Sequence, residues 1–370
     1  MSFFISSTIG RLAIAAAATA ALTASTHAQE RVVNVYNWSD YIDEEVLEDF
    51  TAETGIRVVY DVFDTNELLE TKLLSGASGY DVVVPSAEFL ARQIQAGVFQ
   101  ELDKSQLSNI GNMWDKIEQK LEPYDPGNAY SVNYMWGTTG IGYNVDKVTE
   151  RLGDDAPVDS WALVFDPANM EKLADCGVHF LDAPSEMIPA ALNYLGLNPG
   201  STDQAELEQA ADLLLAVRPY VQKFHSSEYV QALANGDICI AIGFSGDIFQ
   251  SVAAAEEADN GVVVAYSIPS QGAQLWFDQM AIPADAPNAA EAYEFINFMM
   301  KPEAIAKATN YVYYANGNKA SQELLEEDLI KDPTIYPDAE TEAKLFTKVP
   351  YDLRTQRVVT RLWQRVTTGS

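Results

Sequence analysis

Aromatic rings and carboxylates recur together where strand-like runs of this chain end. After Val32–Trp38 come Ser39, Asp40 and Tyr41. After Tyr80–Pro85 comes Ser86, and after Val178–Leu181 comes Asp182-Ala183-Pro184-Ser185-Glu186. After Ile238–Gly243 come Phe244, Ser245, Gly246 and Asp247; Trp276-Phe277-Asp278 opens a late run, and Tyr311-Val312-Tyr313-Tyr314 adds more rings. Each occurrence alone has an ordinary reading. A ring at a strand end packs, and an acid after a strand caps the next helix, as Asp40 or Asp247 could. The recurrence points further. Ring faces attract ammonium groups by about 0.5–2 kcal/mol each and pack flat on methylene chains. Carboxylates bind ammonium through charge-assisted hydrogen bonds of about 1.5–3 kcal/mol. A pocket built of both suits an elongated organic cation with an alkyl middle and charged ends.

Other chemistries find less support. Beyond the first 28 residues the histidines are His179 and His225, and no HExxH or CxxC spacing exists, so no metal site is expected. There is no G-x-S-x-G elbow and no Walker sequence, and no cofactor is implied. Paired acids beside aromatic platforms leave a secreted carbohydrate-active enzyme as the main alternative from another class, which would need one acid of raised pKa.

The 370 residues carry 54 acids against 23 basic residues, a formal charge of −31. Nucleic acid and anionic lipid both require a basic surface and are excluded as partners. Arg11 followed by the alanine-rich stretch Leu12–Leu22 and Thr26-His27-Ala28 reads as a secretory signal peptide over residues 1–28, cut after Ala28. The two cysteines, Cys176 and Cys239, are then either a disulfide formed in an oxidising compartment or two buried thiols.

These residues have to be positioned by alternating strands and helices. Val32–Trp38, Ile56–Phe63 and Tyr80–Pro85 read as strands, followed by helices over Glu44–Thr54, Asp64–Ser75 and Ser86–Ala96. Asp64-x-x-Glu67 reads as an acidic cap on the second of these. A second series has strands at Ile141–Val145, Val178–Leu181, Ile238–Phe244 and Val262–Ile268, with a helix opened by a Ser201-x-x-Gln204 capping box. Trp276–Pro283 is followed by helices at Ala289–Met300 and Pro302–Thr309. The rhythm predicts an α/β protein of two lobes with largely parallel sheets. Ligands in such sheets bind beyond the carboxyl ends of the strands.

The segments NWSDYI, YDVVVPSAEFLARQ, GTTGIGYN, FLDAPSE, NYLGLNP, FHSSEYVQALANGDICIAIGFSGD, FDQMAIPADA and YYANGNKA, in this order, resemble the periplasmic polyamine-binding proteins of bacterial ABC transporters, closest to the putrescine branch. The resemblance implies the two-lobed type II periplasmic-binding fold with a cleft between the lobes, residues 29–137 plus 276–320 forming one and 138–275 plus 321–370 the other. It implies a non-catalytic, monomeric periplasmic receptor that presents putrescine or spermidine to permease subunits, with the same polyamine-binding module serving a sensory partner as the alternative. By the family pattern, Trp38, Tyr41, Phe244, Trp276 and Tyr314 would wall the cleft. Asp247 and Asp278 would hold one ammonium, and Ser39, Asp40, Ser86 and Glu186 would serve the rest of the ligand. Cys176 and Cys239 would form a disulfide. Two positions depart from the pattern: Phe244 stands where the family usually has Trp, and Trp276 where the putrescine branch usually has Phe.

Overall fold

The computed structural model describes residues 30–348 and 350–369; the signal-peptide reading falls outside them. From Arg31 onward the chain forms one compact unit. Its strands are β1 (Val32–Trp38), β2 (Arg57–Phe63), β3 (Val82–Val83), β4 (Ser131–Asn144), β5 (Val178–Phe180), β6 (Lys223–Phe224), β7 (Ile240–Phe244), β8 (Val264–Ser267), β9 (Gln274–Ala281) and β10 (Ala315–Asn316). They share one ladder in the order β2-β1-β3-β9-β4-β7-β5-β6, with β8 and β10 also paired to β4.

β4 and β9 join two halves of this ladder. The first half of β4 pairs with β9 and β10; from Thr139 on, β4 pairs with β7 and β8. On one side β1 runs parallel to β2 and β3, and β3 meets β9 at Val83 and Ala281. On the other, β5 runs parallel to β6 and β7. Two large cores follow. One gathers Val33, Phe50, Ile56, Met135 and Ile296, and the other gathers Ile141, Trp161, Phe180, Leu214 and Ile240. Phe244, at the end of β7, packs against both.

β4 is longer than the expected Ile141–Val145. Its glycines hid it, since Gly weakens a strand unless a neighbour approaches closely. At Gly137 a Cβ would lie 2.8 Å from Ser245 Oγ and 2.9 Å from the Trp276 ring, so bareness there makes room for a cleft residue.

Two further expectations need correction. The helix Asn66–Leu74 is capped by Thr65, which accepts from Leu68 N–H, and not by Asp64. The helix Gln204–Val217 is capped by Asp203, while Ser201 hydrogen-bonds Glu206 instead of forming a box with Gln204. Leu329, Ile335 and Tyr336 pack in a cluster with Ile117, Leu121, Trp136 and Phe277, and only the helix Leu353–Thr368 adds Val359, Leu362 and Trp363 to the second core. Cys176 and Cys239 are bridged, with Cα atoms 5.5 Å apart, which pins the turn before β5 to the approach to β7. The buried-thiol alternative is thereby removed.

Candidate ligand-binding cleft

A cleft opens where the strand ends of both halves converge, lined by Trp38, Ser39, Tyr41, Phe63, Asp64, Asn66, Ser86, Glu186, Ser226, Ser227, Phe244, Asp247, Trp276, Asp278 and Tyr314. Its aromatic wall is continuous. Phe244 meets Trp38 edge-on at 6.1 Å and Trp276 at 5.8 Å; Trp276 meets Tyr314 at 5.5 Å, and Tyr314 meets Tyr41 at 4.9 Å. The two residues that depart from the family pattern are therefore direct neighbours. The Trp38 ring is fixed by its indole N–H, which donates to the Val84 carbonyl at 2.9 Å.

Asp247 and Asp278 are both buried, and each is held by two hydroxyls. Asp247 sits in the first turn of the helix Ser245–Ala258 and accepts from Tyr229 Oη and Tyr314 Oη, both at 2.6 Å. The phenol oxygens in turn accept backbone N–H groups, Tyr229 from Phe244 at 3.1 Å and Tyr314 from Asp247 at 3.1 Å. Each phenol has one proton, so these backbone donors turn both protons onto the carboxylate. Gly246 admits the Tyr314 ring, because a Cβ there would lie 2.4 Å from it.

Asp278, in β9, accepts from Ser86 Oγ at 2.6 Å and from Tyr41 Oη at 2.9 Å. Ser86 occupies the N-cap of the helix Ala87–Gln95 but makes no side-chain cap bond. Asn66 donates to its Oγ at 2.9 Å and accepts from its backbone N–H at 3.0 Å, which leaves the hydroxyl proton for Asp278.

Burial pushes both carboxyls up to about 7, although their hydroxyl donors pull the other way. Neither has a cation against it among the described residues. A buried carboxylate without a counter-charge is costly, so this pair is poised to take either protons or a bound cation.

Glu186 is different. Its Oε2 accepts from Thr139 Oγ1 at 2.7 Å, and its Oε1 accepts from Gln274 Nε2 at 2.8 Å and Lys348 Nζ at 3.1 Å. Trp276 donates to the same Thr139 Oγ1 at 3.2 Å, so ring and acid are positioned together.

One sequence candidate lies off the lining. Asp40 adopts a left-handed conformation (φ 53°), its carbonyl accepts from Gln250 Nε2 at 3.0 Å, and it borders an adjoining surface groove. Sequence reading passed over Phe63, Asp64, Asn66, Ser226 and Ser227. Asp64 was readable as a helix cap; because Thr65 takes that role, its carboxylate is left for the cleft, where Ser39 Oγ donates to it at 2.7 Å. Ser226 and Ser227 stand in the segment FHSSEYV beside Tyr229, within reach of the same reasoning that found Asp247.

Two α/β halves joined by long strands, with a polar-aromatic cleft between them, define a class: solute-binding receptors of the two-lobed type II periplasmic fold. Residues 45–337 match the model of the bacterial extracellular solute-binding protein family, and the chain belongs to that family. It is 55% identical over 342 residues to the putrescine-binding periplasmic protein SpuD of Pseudomonas aeruginosa, covering 92% of this chain and 93% of that protein. It is 50% identical over 357 residues to the putrescine-binding periplasmic protein PotF of Escherichia coli, covering 96% of each. Among solved structures it matches a spermidine/putrescine ABC transporter substrate-binding protein from Streptococcus pneumoniae with a TM-score of 0.73 and 32% identity, covering 92% of this chain and 99% of that one.

Proposed function

We propose that this chain captures a polyamine, putrescine first and spermidine second, in the periplasm and delivers it to the permease subunits of an ABC transporter. One observation carries the reading: Asp247 and Asp278, two buried carboxylates with no cation against them among the described residues, stand within one continuous aromatic wall. The names of the relatives support the same ligand class.

In this reading Asp247 and Asp278 hold one ammonium, the rings of Trp38, Phe244, Trp276, Tyr41 and Tyr314 pack on the methylenes, and Asp64 with Ser39 serves the other end. Asp40, at the adjoining groove, acts on the approach rather than on the bound ligand. The protein works as a monomer and catalyses no reaction. One lobe comprises 31–137 with 276–345, the other 138–275 with the helix Leu353–Thr368, and ligand contacts from both favour the closed arrangement over the open one.

The test is calorimetric titration with putrescine, spermidine, cadaverine and agmatine. Saturable binding of putrescine is expected, and absence of saturable binding to all four refutes the reading.

A further inference from the structure

Behind the cleft wall lies a buried ion cluster that the aromatic-acid pattern did not announce. Lys348, with 6% of its side chain exposed, places Nζ 2.5 Å from Glu88 Oε1 and 3.1 Å from Glu186 Oε1. Glu88 begins the helix Ala87–Gln95 and Glu186 the helix Pro184–Tyr194, so the lysine bridges elements from the two halves of the ladder. Its backbone is anchored: Tyr124 Oη donates to the Lys348 carbonyl at 2.6 Å, and Phe346 exchanges backbone hydrogen bonds with Ala273 and Leu275 beside β9. Burial alone would lower the lysine pKa, but Glu186 and Glu88 hold it above the ordinary lysine value, so it is a fixed positive charge.

The cleft lining contains four carboxylates, Asp64, Glu186, Asp247 and Asp278, and neither Lys nor Arg. Among the described residues Glu186 is the one of these four with an ion-pair partner, and Lys348 itself lies outside the lining, sharing a separate small cavity with Glu88, Ser185 and Tyr351. The lysine thus reaches Glu186 from the rear and shares its positive charge between Glu186 and Glu88 without occupying ligand space.

We propose that Lys348 is a specificity-determining residue: by pairing with Glu186 from behind the wall, it withholds one carboxylate from the ligand and tunes the cleft to amines with two ammonium groups over amines with three. The inference rests on the polyamine reading above. Its physical basis is charge matching. In a dry site each ligand ammonium needs counter-charge at the place where it sits, and an ammonium set beside Glu186 would also face the lysine. Three cleft carboxylates remain unmatched, of which two share one end of a diamine and one serves the other. A third ammonium finds no free acid until Lys348 is removed.

The experiment measures the putrescine and spermidine dissociation constants at pH 8 for the unaltered protein, Lys348→Met, Lys348→Arg and the double variant Lys348→Met/Glu88→Gln. The double variant removes Glu88, the nearer of the two carboxylates that Lys348→Met leaves without the lysine, and so lowers the cost of the substitution. The unaltered protein must bind putrescine at least tenfold more tightly than spermidine. Both Met variants must shift the ratio towards spermidine by tenfold or more, and Lys348→Arg must keep the wild-type ratio. A merely structural lysine would weaken both amines together. Parity in the unaltered protein, or a smaller shift in whichever Met variant folds, overturns the inference. If the unaltered protein binds neither amine, the polyamine reading falls and this falls with it; if it binds putrescine and the ratio does not move, this inference alone falls.

Discussion

Protons compete with the ligand in this cleft. Asp247 and Asp278 are both pushed up to about 7 by burial in the empty protein, yet a bound ammonium requires them ionised. At pH 6, ionising one such group costs about 1.4 kcal/mol, and at pH 8 almost nothing. Both together cost about 3 kcal/mol at pH 6, so putrescine should bind roughly a hundredfold more weakly there than at pH 8. If the complex keeps one proton shared between the two acids, the factor falls to about ten. The assay is calorimetric titration at pH 6, 7 and 8 in buffers of different ionisation enthalpy, which counts the protons released on binding. Stability moves oppositely. Each carboxyl has a folded pKa above its unfolded one, so its contribution to folding is full below about pH 4 and is lost as pH rises towards 7. The rise in Tm on adding putrescine should therefore be larger at pH 8 than at pH 6. An affinity that changes less than threefold between these pH values, with no proton release, would refute the assignment of these two acids as the ammonium site.

Two further outcomes are expected. Tyr314→Phe removes one of the two phenol protons on Asp247 and leaves the Asp247 N–H without its acceptor; putrescine binding should weaken by about 1.5–3 kcal/mol in a titration, and an unchanged affinity would mean that the phenol does not orient this carboxylate. Replacing Cys176 and Cys239 by Ser opens a bridge with a sequence separation of 63 residues; chain entropy predicts a loss of about 4 kcal/mol in denaturant unfolding, with polyamine affinity little changed because neither residue lines the cleft.

The sequence displayed the cleft's rings and principal acids because both are rare, chemically marked residues at strand ends, where α/β folds place ligands. Trp38, Tyr41, Asp247, Trp276 and Asp278 could be found in that way. What it concealed has physical causes. Asp64 looked like a helix cap, since an acid before a helix satisfies orphan N–H groups equally well from position 64 or a hydroxyl at 65. β4 was half-hidden by glycines such as Gly137, whose purpose, admitting Trp276 and Ser245, exists only in three dimensions. Lys348 lies in a segment with no helical or strand period; its pairing with Glu88 and Glu186 spans 260 and 162 positions of chain and leaves no local trace.

Asp247 and Asp278 have no cation against them among the described residues. A lysine paired with Asp247 or Asp278 would make the empty protein more comfortable, but a ligand ammonium would then have to displace it or suffer its repulsion. Neutralising burial by hydroxyl donors avoids this. Tyr229, Tyr314, Tyr41 and Ser86 stabilise the charged carboxylates in place without adding positive charge. The empty site keeps part of its electrostatic cost, relieved by protonation near neutral pH. A cation entering there would meet carboxylates already oriented by their hydroxyl donors, whereas Glu186 already carries Lys348 against it. One cleft thus handles buried carboxylates in two ways, with hydroxyl donors alone for Asp247 and Asp278 and with a fixed lysine for Glu186.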